Sequence, residues 1–189
     1  MRKFLSSFLE ILEVVIISVV AVFLVRTYIV QPFLVWGSSM APNFSTGDYI
    51  LIDELSLYFR NPQRGEVVVL RFPQNPSTYF IKRIIGLPGE RVLIKDNKIT
   101  IFNSQHPNGF VLEEKYLSPN VITEVRQEKS KEFVLGPDEY FVLGDNRQFS
   151  YDSRDWGVLK RKDIVGIAKL RLWPLKSVRV FAAPSYWYE

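Results

Sequence analysis

Three short segments hold residues whose types and spacing could do chemistry. The first is Gly37-Ser38-Ser39-Met40-Ala41-Pro42. Small residues before a proline make a tight, exposed turn that can offer a hydroxyl and free backbone N–H groups to a substrate. A polar linker has the same composition. The second is Tyr79-Phe80-Ile81-Lys82-Arg83-Ile84-Ile85, followed by Gly86-Leu87-Pro88-Gly89. On a strand, side chains alternate, so Lys82 shares a face with Phe80 and Ile84, and Arg83 shares the other with Ile81 and Ile85. A lysine among apolar groups loses hydration and its pKa falls. At an ordinary pKa of about 10.4, roughly one lysine in 2,500 is neutral at pH 7. Lowering the pKa to about 8 takes about 3 kcal/mol, which partial burial supplies, and leaves a usable general base. A lone edge-strand lysine that blocks unwanted strand pairing fits the same periodicity.

The third segment, Gly144 to Gly157, is dense in hydrogen-bonding side chains and lies between two apolar stretches. Asp145, Asp152 and Asp155 can pair with Arg147 and Arg154, and Ser150 or Ser153 can bond a buried amine. Carboxylates with Asn146 are also calcium donors, but the interleaved arginines compete for the same oxygens. Composition removes other chemistries. The chain has no cysteine and one histidine, His106. Thiolate sites, cysteine nucleophiles and zinc sites built on several imidazoles are therefore excluded, and a Ser/His hydrolase would have to use His106, which stands in the loop Asn103–Gly109. No metal and no cofactor are expected. A net charge of +4 over 189 residues is mild and does not suggest a nucleic-acid binder.

The elements that must position these segments follow from patterning. Val14 to Val25 is a run of 12 residues, apolar but for Ser18, reaching 21 when extended back to Leu5 across Glu10 and Glu13. A bilayer needs about 20. The run is apolar on every side of a helix, which a small soluble fold cannot bury, and Arg26-Thr27-Tyr28 gives no small-residue signal-peptide cleavage site. An uncleaved membrane anchor over residues 4–25 is the reading that remains, with Arg26 snorkelling at one interface. Arg2 and Lys3 favour the N-terminus inside. Pro32 ends the helix or lies just beyond it. The rest reads as short strands at 49–52, 67–70, 79–85, 91–94, 99–102, 133–135, 140–143 and 165–172, separated by turns such as Ser45-Thr46-Gly47-Asp48 and Asp96-Asn97. The charge-rich stretch 113–132 reads as an exposed ribbon or insertion. Tyr186-Trp187-Tyr188 fits a membrane interface or packing on the domain.

In order along the chain, five boxes resemble the type I signal peptidases, membrane-anchored Ser/Lys proteases. They are Ser39-Met40-Ala41-Pro42, Gly47-Asp48-Tyr49-Ile50, Gly65–Val69, Lys82-Arg83 with Gly86-Leu87-Pro88-Gly89, and Gly144-Asp145-Asn146-Arg147 with Ser150, Asp152, Ser153 and Arg154. The resemblance implies a mainly β fold: a coiled, barrel-like catalytic sheet over 31–189 with a ribbon inserted around 96–132, after a single transmembrane helix in 1–30. It implies Ser39 as nucleophile and Lys82 as general base, Ser150 orienting the amine, Asp152 and Arg154 as a supporting ion pair, and Asp145 with Arg83 in the same scaffold. Val35 and Ile81 fall at substrate pockets for small side chains. Implied partners are preproteins bearing signal peptides and the lipid bilayer, with no nucleic acid. The chain is expected to be a monomer in the cell membrane, its catalytic domain on the extracytoplasmic side. Asn43, Gln148 and Gly37 depart from the residues common at those places, so the oxyanion donor expected here is the Ser39 N–H. A membrane-tethered β-domain that binds peptides without cutting them is the alternative. With Lys82 as base, His106→Ala is expected to keep full cleavage activity in a preprotein assay.

Overall fold

Apolar stretches rich in β-branched residues, cut by glycine, proline and Asx turns, set the elements. The computed structural model describes residues 2–28, 30–125 and 130–184, so the aromatic tail 186–188 lies outside the described residues. Helix α1 runs Arg2–Tyr28. Among the described residues, no helix is long and apolar enough to cross a membrane. Side chains 7–22 of α1 are exposed all round, Val15, Ile16 and Val20 included, so no face of that stretch packs on the other described residues.

The strands are β1 (Val30–Leu34), β2 (Tyr49–Asp53), β3 (Val67–Phe72), β4 (Asn75–Gly86), β5 (Arg91–Lys95), β6 (Lys98–Phe102), β7 (Phe110–Val111), β8 (Ser130–Val134), β9 (Glu139–Leu143), β10 (Leu159–Lys160), β11 (Ile164–Trp173) and β12 (Arg179–Val180). Short helices α2 (Ser56–Phe59) and α3 (Ser153–Trp156) join them. The main sheet has the order β1-β2-β11-β3-β4-β9-β10, with β12 added to β11; the second has the order β7-β6-β5-β8. All pairings are antiparallel. The expected fold is met as a mainly β chain with two antiparallel sheets and an N-terminal helix. The main path of pairings is open, from β1 to β10. It nonetheless curls: Phe33 on β1 and Tyr79 on β4 stand four strands apart in the sheet, yet their ring centroids are 5.6 Å apart. The second sheet leaves the main one between β4 and β9, and its strands β6, β7 and the start of β8 lie within 96–132.

The core follows the pleat. Val67 and Val69 of β3 join Val35, Met40, Phe44, Ile50 and Ile52 on one face, while Val68 and Leu70 join Ile84, Val142 and Ile167 on the other. Ile85, Phe141 and Leu143 instead pack with Val92, Ile94 and Ile101, tying the second sheet to β4 and β9. Asp96 and Asn97 have positive φ, 50° and 62°, the geometry of a two-residue hairpin turn between β5 and β6. Besides the two-residue strands β7, β10 and β12, strand β1 has no counterpart in the sequence reading, because Pro32 looks like a helix stop. Pro32 is tolerated in β1 because β1 is an edge strand, where a missing N–H donor removes no ladder bond.

Candidate active site

The turn between β1 and β2 is closed on itself before it meets anything else. Gly37 adopts φ +102°, a left-handed conformation that a side chain disfavours. Its N–H donates to Thr46 Oγ1 at 2.9 Å, and the Thr46 hydroxyl donates back to the Gly37 carbonyl at 3.1 Å. Ala41 N–H donates to Ser38 O, and Phe44 N–H to Met40 O, so residues 38–44 form one compact unit. Buried Met40 and Phe44 pin it to the core. Asp48 accepts from Ser45 N–H and pairs with Arg171 at 2.6 Å, which locks the end of the turn to β11.

Ser39 stands at the open side of this unit. Its Oγ lies 2.9 Å from Lys82 Nζ. The ammonium form of the lysine donates to Oγ; the neutral amine accepts the Ser39 hydroxyl proton. Lys82 sits on β4 opposite Val68, and only 2% of it is exposed. Its Nζ donates to the Ile81 carbonyl at 3.0 Å and lies 4.9 Å from the centre of the Phe80 ring. Burial pulls the Lys82 pKa down to about 8, against the opposing charges of Asp152 and Asp145. Roughly one Lys82 in ten is then neutral at pH 7.

The loop after β9 closes the other side. Asp145 is held by Arg83 through two bonds of 2.8 and 2.6 Å, and Asp152 by Arg154 through two of 2.8 and 2.9 Å. Asp152 also caps α3, in a reciprocal capping box with Asp155, and accepts from Gly144 N–H at 3.0 Å. Asn146 grips the nucleophile turn twice, its N–H donating to Ser39 O and its side-chain amide to Ser38 O, each at 3.0 Å. This closeness requires a glycine at 144, where a Cβ would overlap Ser150 and the Ser39 carbonyl. Ser150 is fully buried against that glycine, and its Oγ has no hydrogen-bond partner. Ser153 accepts from Val142 N–H at 3.0 Å. Above Ser39 and Lys82 opens a cleft of about 340 Å³ with apolar walls that include Val35, Ile50, Val69 and Ile81. Among the described residues the Ser39 N–H makes no hydrogen bond.

Comparison with known proteins decides the family. The model for the signal peptidase family, peptidase S26, matches residues 8–173. The chain belongs to that family. A signal peptidase I P of Bacillus subtilis subsp. natto is 33% identical over 180 residues, spanning 92% of this chain and 94% of its own. A signal peptidase I of Leptolyngbya laminosa is 34% identical over 189 residues, spanning 96% and 88%. A solved signal peptidase I from Enterococcus faecalis V583 is 32% identical, covers 57% of this chain and 97% of its own, and has a TM-score of 0.43.

For this signal peptidase the structure brings together Ser39, Lys82, Asp145, Asp152 and Arg154, with Val35 and Ile81 on the cleft walls. Ser150 is adjacent, without a bond to Lys82. His106 is elsewhere: it accompanies Asn103 in the loop between β6 and β7, its ring edge-on to Phe110, and it does not line the cleft. Sequence reasoning missed Arg171, Glu114 and Thr123. Arg147 pairs with Glu114 and Thr123 from the segment before β8; burial opposes its charge, but the Glu114 carboxylate outweighs burial and holds its pKa above the usual value. No local signal in the sequence could have matched such distant partners.

The lowered pKa of Lys82 is also a stability statement. The unfolded chain binds the proton up to about pH 10.5 and the folded chain only up to about 8, so wild-type stability rises with pH between the two. Lys82→Met, which has nothing to titrate, is therefore expected to raise the unfolding free energy at pH 7 by up to about 3 kcal/mol, with the gain vanishing near pH 10.5. Urea unfolding of both proteins at pH 7 and pH 10.5 checks this.

Proposed function

We propose that this signal peptidase cuts by acyl transfer, with Ser39 as nucleophile and Lys82 as general base. The observation that carries the reading is the 2.9 Å approach of Lys82 Nζ to Ser39 Oγ at a lysine removed from water. Neutral Lys82 takes the Ser39 proton as Oγ attacks the scissile carbonyl. The unengaged Ser39 N–H donates to the developing oxyanion. The leaving amine takes the proton from Lys82, and the mature protein departs. Lys82 then draws a proton from water, which hydrolyses the acyl-enzyme and releases the signal peptide. Asp145–Arg83 and Asp152–Arg154 are the supporting scaffold, and Ser150, poised beside Gly144, is the hydroxyl that steadies the amine.

The substrate lies in the cleft as an added strand. β1 is the first strand of its sheet, and β9 pairs with β4 only from Arg83 onward, so the outer edges beside Leu34 and at Tyr79–Lys82 are available. Val35 and Ile81 narrow the walls to favour small residues, an Ala-x-Ala pattern before the cut. Residues 1–30 are the anchor of a single-pass membrane protein, and 31–189 are the catalytic domain on the extracytoplasmic side, with Arg2 and Lys3 inside. The support is the exposed surface of Val14–Val22, apolar all round but for Ser18, which none of the other described residues covers. Attachment at Val30 holds the cleft near the bilayer, where a signal peptide emerges.

The test is cleavage of a preprotein with an Ala-x-Ala site by the detergent-solubilised chain. Wild type is expected to cut once, at that site, and Ser39→Ala and Lys82→Ala to lose at least about a thousandfold in kcat. Binding without cleavage by the folded wild type would replace this reading with a peptide-binding module. Because only the neutral amine accepts a proton, kcat is expected to fall about tenfold per pH unit below about 8 and to level off above it. A pH–rate profile checks the sign.

A further inference from the structure

The compact turn that carries Ser39 ends on Asn43, whose bonding differs from that of its neighbours. Its side-chain nitrogen donates to the Tyr116 carbonyl at 3.0 Å and to Asp145 Oδ2 at 2.9 Å. An amide has two N–H hydrogens and each has an acceptor. Both acceptors are oxygens, so the amide can face only one way. The main-chain carbonyl of Asn43 accepts from Arg171 at 3.1 Å, the same guanidinium that holds Asp48. Tyr116 is itself fixed, its ring 3.9 Å from the Arg83 guanidinium, which holds Asp145 from the other side. Asn43 thus joins three separate parts of the chain: the nucleophile turn, the loop after β9, and the segment leading to β8.

We propose that Asn43 is a positioning residue that fixes the Ser39 turn against Asp145 and the Tyr116 carbonyl, and so holds Ser39 within reach of Lys82. This rests on the Ser39–Lys82 reading above. The turn 38–44 is internally bonded and moves as a unit. Asn146 and Met40 tie its Ser39 end, and Asn43 ties the opposite end. Without the Asn43 side chain, buried Phe44 and the Arg171 bond to the Asn43 main-chain carbonyl still hold that end to the core and to β11, but its tie to Asp145 and the Tyr116 carbonyl is lost, and the turn can shift against the loop after β9, moving Ser39 Oγ relative to a lysine whose backbone is fixed in β4. The cleft walls on β1, β2, β3 and β4 do not depend on Asn43, so substrate binding is spared. The charges that act on Lys82 are Asp152 and Asp145, paired with Arg154 and Arg83. Arg147 also feels Asp145. Removing the Asn43 donor leaves more of the Asp145 charge to act on Lys82, which favours the ammonium.

The experiment measures kcat, KM and the acid limb of the pH–rate profile for full-length wild type, Asn43→Ala and Asn43→Thr on one Ala-x-Ala preprotein, with thermal melts. Asn43→Ala is expected to lower kcat by about tenfold or more with KM within about twofold, and to move the acid limb upward. Asn43→Thr keeps one donor, can serve only one of the two acceptors, and is expected to fall between. A melting temperature lowered by either variant, with kcat and the acid limb unchanged, would mean that Asn43 only stabilises the fold, and the proposal is overturned. A loss in KM instead of kcat overturns it as well. Inactive wild type would count against the dyad reading, not against Asn43 alone.

Discussion

Everything around the cleft depends on keeping one amine dry. Burial drives the Lys82 pKa down, while Asp152 and Asp145 drive it up. Two bare carboxylates at such a site would win, because unscreened charges in a low-dielectric interior outweigh the desolvation of one ammonium. They do not win because each carboxylate is already spent on an arginine, with two bonds apiece. The arginine pairs therefore have a double task. They fix the loop that touches Ser39, and they hold down the field that would otherwise keep Lys82 charged. Buried ion pairs contribute little net stability, so their presence here makes better sense as control of a neighbouring proton.

The same loop explains why backbone, more than side chain, sets the position of Ser39. Ser38 and Ser39 offer their carbonyls to Asn146, and Gly144 approaches Ser39 so closely that no side chain fits at that position. With its carbonyl held, Ser39 has its N–H and its hydroxyl left for substrate. A glycine selected for close approach and another, Gly37, selected for its left-handed turn lie on either side of one serine. Ser150 fits this picture as a buried hydroxyl still without a partner, since its side chain occupies the space that Gly144 leaves open.

What was legible in the sequence had short range. The burial of Lys82 was readable because a period of two over 79–85 puts it between Phe80 and Ile84, and the structure puts its amine over the Phe80 ring. Strands β2 to β6 and β9 were readable because turn residues bound them. Strand β1 was hidden by Pro32, whose restriction means helix stop or edge strand depending on what pairs beside it. β7, β10 and β12 are two residues each, too short for any alternation to show. The partners Asp48 and Arg171 are 123 residues apart in sequence and Arg147 and Glu114 are 33 apart, and only the curled fold brings each pair together. Asn43 looked like a mere departure from a pattern, because its two acceptors, a backbone carbonyl and a carboxylate oxygen, leave no trace in residue type.

That the proposed base is a lysine, with the single histidine left in a distant loop, follows from the same physics. Desolvation lowers the pKa of both side chains. An imidazole starts near 6.5 and would be pushed below the range where it holds a proton usefully, so it needs an added carboxylate to restore it and to fix its tautomer. An amine starts near 10.4, and desolvation carries it toward working pH. Its single nitrogen has no tautomer to choose, so two contacts, the Ile81 carbonyl and Ser39 Oγ, are enough to aim it. The requirement on the fold reduces to burying one side chain on one strand and neutralising the carboxylates nearby. A curled sheet with apolar side chains on both faces of β3 and β4 meets that requirement, and the cost falls on stability below the lysine's folded pKa.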